Sequence, residues 1–280
     1  MVEVIFAELC TADEIVCFES DYKDLPQSVP CSICRTPHQN GYIAVVRSGA
    51  RTRIGHICGR SLLGDLRFEQ MESELGIRQQ RARREQIITN PDFDPRAALE
   101  ALQAWDSRVA AMRQVIRQFA TYDRGIVNSL RNAAWKDDGR LTAYDGTIIH
   151  VLRGARWLRN DKIEDQLCEA KSSIRYLLHL LEKDRLTDQE LEEAVKEAGR
   201  AVRLLRVVAD AIDAFDPFCH PINIGGITRW LRATYDLKAE APRPDLLRIK
   251  ERWSDQIIEI RIPAQIGPID RKPIEQLGAI

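Results

Sequence analysis

The sequence lacks any long run of apolar residues. Hydrophobic residues make up 44% of its 280 residues and charged residues 30%, which is ordinary for a globular protein. No stretch approaches the about 18 consecutive apolar residues that a membrane-spanning helix needs. The first residues alternate between acidic and apolar types, unlike the basic and then apolar start of a secretory signal. We therefore expect a cytoplasmic protein that has no membrane partner.

Motifs that mark enzymes are also missing from the sequence. It contains no phosphate-binding glycine loop, no paired-carboxylate motif and no His-Glu signature of zinc proteases. Cys219 and His220 are adjacent, but the sequence places no acid beside them to orient a nucleophile. We expect no catalytic residues and a non-enzymatic protein, with an enzyme hidden in the helical part as the third alternative.

The cysteines that are present are arranged like metal ligands. In a reducing compartment, paired cysteines among the seven of this chain point to metal rather than to disulfides. Cys31 and Cys34 form a close pair before a predicted hairpin, and His56 and Cys58 stand where that hairpin leads into a predicted helix. Three thiolates and one imidazole form a closed tetrahedral shell that suits one structural Zn²⁺ and leaves no position for a reactive water. The predicted metal ligands are Cys31, Cys34, His56 and Cys58.

This order of elements resembles a treble-clef zinc finger, which has a two-cysteine turn, a β-hairpin and a helix whose start supplies the last ligands. Residues 31–64 are similar to zinc modules of uncharacterised phage and mobile-element proteins, in which a Gly-x-x-Cys stretch ends the hairpin. The resemblance implies a zinc-stabilised module in a phage-type protein. Treble clefs usually space the last two ligands by three residues, whereas here the spacing is two. His38, Cys10 and Cys17 therefore stay open as alternatives for the fourth ligand.

Acidic residues are absent from residues 31–60, which carry five arginines, whereas residues 1–30 hold seven acids and one lysine. Further arginines follow near the end of the next predicted helix, so a continuous positive face could contact phosphates. Folding of the acidic residues 1–30 over this face would partly neutralise it. The predicted nucleic-acid-binding residues are Arg47, Arg51, Arg53, Arg60, Arg78, Arg81, Arg83 and Arg84.

Two functions follow from these features. In the first, the zinc module contacts nucleic acid, DNA or RNA, through its basic face. In the alternative, the chain is an interaction or inhibitor factor of phage or mobile-element type that acts on a host protein complex, and its zinc is purely structural. Salt-dependent binding to generic nucleic acid discriminates between them, because phosphate contacts weaken steeply with salt.

The rest of the chain reads as helices with small β insertions. Asp94 followed by Pro95 is a strong helix start. Apolar residues then recur at steps of four and three over 98–119 and again over 163–181, as in heptad repeats. Thr187 and Glu190 form a predicted capping box for the next helix, and Asp216-Pro217 is expected to end it.

The predicted fold class is α-rich α+β. We expect an N-terminal β and zinc region at 1–89, and then a bundle of long antiparallel helices or coiled-coil hairpins at 90–216. A β-hairpin at 141–152, turning at Asp145-Gly146, interrupts the bundle. A short helix and a β tail follow at 217–280. The prolines at 263, 268 and 273 argue against further regular structure, and the mixed polar positions of the heptads specify no oligomeric state.

Overall fold

The computed structural model describes residues 11–235, 237–250, 256–263 and 268–278. The first ten residues of the predicted N-terminal β region, including the alternative ligand Cys10, lie outside these residues. Within them the chain is rich in helices and forms small antiparallel sheets, which agrees with the predicted α-rich α+β class. Among the helices described, none combines the length and hydropathy needed to cross a bilayer. The chain divides into two compact units, the first ending at Gln86 and the second beginning at Ile87.

The first unit is built on a three-stranded antiparallel sheet and two helices. Strand β1 is the outer neighbour of β4, and β4 pairs on its other side with β5. A second, very short pair joins β2 to β3. The elements are β1 (Ile15–Tyr22), β2 (Val29–Pro30), β3 (Pro37–His38), β4 (Gly41–Val46), β5 (Arg51–Gly55), α1 (His56–Leu63) and α2 (Asp65–Ile88), the last of which runs on into the second unit.

One face of the sheet and one face of α2 form the core of the first unit. Alternate strand residues point to the same side, and helix residues three or four apart share a face. Phe18, Tyr42 and Ile54 of the sheet are therefore buried together with Phe68 and Met71 of α2. The ring of Phe18 stacks on that of Tyr42 and meets that of Phe68 edge to face. This packing fixes where β5 ends and α1 begins, which is where Cys58 is found.

The second unit is mainly helical. Its helices α6 and α7 pack along each other as a hairpin, and its last three strands form a sheet in the order β10-β9-β8. The elements are α3 (Pro95–Ala101), α4 (Gln103–Tyr122), α5 (Arg124–Lys136), β6 (Arg140–Thr142), β7 (Ile148–Val151), α6 (Ile163–Leu181), α7 (Asp188–Phe218), α8 (Pro221–Tyr235), β8 (Lys238–Arg243), β9 (Leu246–Lys250), β10 (Ile257–Arg261) and α9 (Lys272–Glu275).

The apolar seams predicted from the heptads are the core of this unit. Trp105, Val109 and Met112 of α4 are buried, as are Leu177 of α6 and Leu205 of α7. They belong to one hydrophobic cluster that also takes in residues of α5, α8 and the C-terminal sheet. The seams therefore pack against several different elements, and the predicted coiled coil is not confirmed.

Prolines account for most of the differences from the predicted elements. Helix α7 does not end at Asp216 but continues through Pro217 to Phe218. Strand β8 was not predicted, because it contains Pro242; the strand lies at the edge of its sheet, where a missing N–H is tolerated. Pro273 lies in the first turn of the short helix α9, where no intrahelical donor is needed. Pro242 and Pro273 thus occupy positions that require no backbone donor, whereas Pro217 lies in the last turn of α7, where its missing N–H removes one intrahelical hydrogen bond.

Candidate metal centre

Three cysteine sulfurs come together at one end of the first unit. Cys31 follows β2, Cys34 lies in the turn between β2 and β3, and Cys58 lies in the first turn of α1. Their Sγ atoms are all within 4.8 Å of one another. Cys31 is buried, Cys58 is half-buried and Cys34 is exposed. Residues up to 27 positions apart in the chain therefore converge on one small volume.

The dimensions of this cluster match those of a metal ion bound by thiolates. A tetrahedral zinc ion with Zn–S bonds of about 2.3 Å requires sulfurs roughly 3.8 Å apart. The Sγ atoms of Cys34 and Cys58 lie 3.0 Å apart, and the upper limit for the group is 4.8 Å, so the required spacing falls between these values. Three soft thiolates favour zinc, copper(I) or iron–sulfur chemistry over magnesium or calcium. The residues present therefore fit a thiophilic metal ion.

The Sγ atoms of Cys34 and Cys58 lie within hydrogen-bond distance of each other, and either of them can be the donor. The hydrogen bond from Cys58 lowers the pKa of Cys34 to about 6, with further help from Thr36. The same contact, together with burial, raises the pKa of Cys58 to about 12. A divalent ion would displace the proton of this hydrogen bond and hold both groups as thiolates, so metal binding at this site releases protons and weakens at low pH.

Backbone geometry shapes the turn that carries the first two cysteines. The backbone N–H of Arg35 donates to the carbonyl of Cys31 at 2.8 Å, and that of Cys31 donates to Thr36 at 3.1 Å. Arg35 adopts a positive φ of 60°, which closes the turn after Cys34. Ser32 ties this turn to β5, since its N–H donates to the carbonyl of Arg53 at 2.8 Å and its hydroxyl accepts from the N–H of Arg53 at 3.1 Å. These bonds hold the turn beside the hairpin that leads to Cys58.

His56, the predicted fourth ligand, does not join the cluster. The group of mutually close metal-ligating atoms in the described residues contains the three cysteines alone. His56 is the first residue of α1, and residues two apart in a helix do not face each other, so His56 and Cys58 point to different sides. The imidazole of His56 lies edge-on to Phe68, with ring centroids 5.1 Å apart.

The alternative ligands lie in different surroundings. Cys17 is on β1 beside Val45 and Arg78, where it helps to line a surface cavity away from the three sulfurs. His38 is the second residue of β3, and its ring stacks on that of Tyr22 at a centroid distance of 5.7 Å. Burial raises the pKa of Tyr22 to about 12, and the nearby Cys31 sulfur adds to this effect. The contacts of Tyr22 with His38 and of Ser32 with Arg53 had no signal in the sequence, because they join distant segments.

The predicted basic face is largely engaged within the unit. Arg51 makes a two-pronged contact with Glu19 of β1, with Nη2 2.6 Å from Oε1. Arg60 lies 3.6 Å from both Asp65 and Glu69, and Arg78 donates to the carbonyl of Phe18. Glu19 is thus one acid of residues 1–30 that pairs with an arginine of the predicted face.

The other predicted arginines are more dispersed. Nε of Arg81 lies 2.8 Å from Glu85, one helical turn along α2. Arg53 and Arg84 are half-buried, whereas Arg47, after β4, and Arg83, on α2, are exposed. The eight arginines therefore do not form one uniform exposed surface.

Comparison with known proteins adds no relative to this description. No protein family, no curated protein and no solved structure matches the chain. The three-cysteine cluster is therefore interpreted from its own geometry.

Proposed function

We propose that this chain is a non-enzymatic binding protein whose first unit is held together by one structural Zn²⁺. The convergence of Cys31, Cys34 and Cys58 within 4.8 Å carries this proposal. A two-cysteine turn, a hairpin and a helix start supply these ligands, which is the order of a treble-clef-like module. The resemblance to such modules supports zinc over copper or iron–sulfur clusters, and a zinc ion with a closed shell stabilises structure without performing chemistry.

Metal analysis of the purified protein tests this proposal. We expect about one zinc per chain, retained during desalting. Cys31→Ser and Cys34→Ser should each lower the zinc content sharply, because each removes a ligand. Cys168→Ser is the matched control, since Cys168 is an exposed cysteine of α6 in the second unit and its loss should leave the zinc content unchanged. A folded, zinc-free wild-type protein would contradict the proposal.

The charges of the first unit favour a protein partner over nucleic acid. The first unit, residues 1–86, contains twelve acidic and eleven basic side chains, and three thiolates around one divalent ion add about one negative charge. The unit is therefore close to neutral and has no net attraction for a polyanion. The two most exposed large apolar side chains in the described part of this unit are instead Ile57, at 81% next to Cys58, and Leu66, at 86% at the start of α2. We propose that these residues contact a partner protein. In this proposal the zinc, bound by Cys58 of α1, holds α1 in position for that contact.

Nucleic-acid binding is the second candidate, and it rests on two exposed arginines of the first unit and on a segment without acids. Arg47 and Arg83 are exposed, and residues 31–60 contain no acid. A local patch of this kind would bind phosphate most strongly at low salt.

Two binding assays separate the candidates. For a protein-binding factor, we expect no affinity for generic duplex or single-stranded DNA or RNA at ~50 mM salt, where electrostatic binding is favoured. Ile57→Asp and Leu66→Asp should each reduce recovery of partner proteins from a bacterial lysate. Ile77→Asp is the matched control, because Ile77 is an exposed apolar residue farther along α2.

The opposite outcome would favour nucleic acid. Salt-sensitive binding would then weaken when Arg81, Arg83 and Arg84 are replaced together by Ala. The slope of log binding constant against log salt concentration should fall in magnitude by about one for each lost phosphate contact.

A further inference from the structure

The structure leaves the fourth position of the metal shell without a clear ligand. The three sulfurs provide only three donors, whereas a structural zinc site is closed by four. The fourth ligand must be able to reach an ion held by the three sulfurs after a local side-chain movement. It must also have a free lone pair.

We propose that His38 supplies the fourth ligand through Nε2, and that Tyr22 orients its ring from the other side. This inference rests on the proposed zinc site and assigns the part of it that the cysteines leave open. The site would then be Cys31, Cys34, His38 and Cys58, with all four ligands drawn from the turn, the short strand after it and the helix start.

The hydrogen bonding of His38 leaves one ring nitrogen free. Nε2 is buried and has no hydrogen-bond partner among the described residues. A buried polar atom without a partner is costly and calls for a specific explanation, such as an ion. A zinc ion bound to Nε2 would satisfy this atom.

The other ring nitrogen has the partner that a metal ligand needs. Nδ1 of His38 lies 3.2 Å from the hydroxyl of Tyr22, and the two rings are stacked at an interplanar angle of 17°. When Nδ1–H donates to the Tyr22 oxygen, the lone pair of the neutral imidazole is on Nε2. Metal-binding histidines are commonly fixed in this way, with the second nitrogen donating to a neighbouring acceptor.

The position of His38 links both halves of the cysteine cluster. In the β2–β3 ladder His38 pairs with Val29, two residues before Cys31. On its other side the ring lies against Gly55, the last residue before α1. A Cβ atom at Gly55 would come within 2.9 Å of His38 Cδ2 and 3.3 Å of Nε2. Glycine is thus needed for the imidazole to pack against the end of β5, three residues before Cys58.

The ring must still move toward the sulfurs when the metal binds. His38 is not among the residues whose ligand atoms all lie within 4.8 Å of one another. His56 also lies outside this group. It is exposed and begins α1 two residues before Cys58, and residues two apart in a helix do not face each other. His38 is therefore the histidine that suits the fourth position, because Nε2 has no partner in the described part of the chain and Nδ1 already contacts the Tyr22 hydroxyl.

Nuclear magnetic resonance of the wild-type protein loaded with ¹¹³Cd²⁺ tests this assignment without any variant. We expect a scalar coupling between cadmium and Nε2 of His38, together with a proton on Nδ1. The absence of this coupling in cadmium-loaded protein, or a coupling to His56 instead, would overturn the assignment. Failure of the wild-type protein to bind either Zn²⁺ or Cd²⁺ would instead refute the proposed zinc site itself.

Competition with a chelator for Zn²⁺ measures how much each side chain contributes to zinc affinity. Tyr22→Phe should weaken zinc binding by about 10-fold, within the range seen for partners of metal-binding histidines. His38→Ala removes the proposed ligand itself and should weaken zinc binding more than Tyr22→Phe does. His56→Ala is the matched control and should retain wild-type affinity. Cys10→Ser is included because Cys10 lies outside the described residues; a large loss in this variant with none in His38→Ala would assign the fourth position to Cys10.

Discussion

At the scale of single residues, Asn223 is the most highly connected buried polar group in the described part of the second unit. It is fully buried. Its amide nitrogen donates to the carbonyls of Arg153, Pro217 and Phe218 at 2.9, 3.0 and 3.2 Å. Its Oδ1 accepts from the backbone of Arg153 and from Nε2 of His150, each at 3.0 Å. One side chain thus joins β7, the turn after it, the end of α7 and the start of α8.

We predict that Asn223→Ala lowers the free energy of unfolding by about 2–4 kcal/mol, because several buried backbone groups lose their hydrogen-bond partner. Each group left unsatisfied costs about 1–3 kcal/mol. Denaturant unfolding followed by tryptophan fluorescence measures this loss. Asn223→Asp is the matched variant, since it keeps the shape and the acceptor but removes the donors, and it should also be destabilising. A loss below about 0.5 kcal/mol for Asn223→Ala, typical of surface substitutions, would contradict the role inferred here.

A second close contact beside Asn223 shows why such positions escape sequence analysis. Gly154 has a positive φ of 69°, and a Cβ atom there would lie 2.0 Å from the carbonyl oxygen of Ala214 on α7. The sequence marks Gly154 only as a turn residue. The contact that requires glycine comes from a residue 60 positions later, so no local pattern contains it.

At the scale of elements, the N-terminus of α7 illustrates what local signals predict well. The side chain of Thr187 accepts from the backbone N–H of Glu190, while Glu190 accepts from the backbone N–H of Thr187. Glu190 also pairs with Lys183 across the connection between α6 and α7. The capping box was predicted because all of its partners lie within a few residues. The ion pair was not, because it depends on the path of the connection.

The pKa of Glu190 makes this helix start sensitive to pH. Hydrogen bonds from Lys183 and then from Thr187 lower the pKa of Glu190 to about 2, against about 4.3 for an unfolded chain. The folded state therefore binds the proton less readily. The stability that Glu190 contributes is fully present above about pH 4.3 and is lost as the pH falls toward 2.

We predict that Glu190→Gln lowers the thermal midpoint at pH 6 and that its difference from the wild type shrinks steadily between pH 4.5 and 2. Lys183→Met is the matched comparison. It removes the first of the two causes and keeps the capping bonds, so it should lose less stability than Glu190→Gln. A difference between Glu190→Gln and wild type that stays constant down to pH 2 would argue against the inferred contacts.

The limits of prediction at this scale follow from the range of the interactions. Helices α4, α6 and α7 were predicted because their buried residues recur every three or four positions, and this periodicity is visible in the sequence alone. Strand β8 was missed because Pro242 is tolerated only at a sheet edge, and no local feature identifies an edge. The three cysteines that cluster were singled out by their spacing. The inferred role of His38 depends instead on Tyr22, which is 16 residues away and meets it only in the folded chain.

At the scale of the whole molecule, the two units have separate hydrophobic cores. The first is centred on Phe18, Tyr42 and Phe68, and the second takes in residues of every helix from α3 to α9. The first core is much the smaller. A small core of this kind commonly depends on a metal or disulfide for its stability. Metal loss should therefore affect the two units very differently.

The tryptophans provide a way to observe this difference. The five tryptophans of the chain all lie after residue 100, so their fluorescence reports on the second unit. Backbone amides of β4 and β5 report on the first unit by hydrogen exchange. We predict that a zinc chelator, or Cys31→Ser, abolishes the protection of the β4 and β5 amides from hydrogen exchange. The free energy of unfolding measured by tryptophan fluorescence should change by less than about 0.5 kcal/mol. The helices of the second unit bury their own seams and contain none of the proposed zinc ligands, so they should remain folded. A tryptophan transition that shifts together with the loss of zinc would show instead that the two units unfold as one cooperative domain.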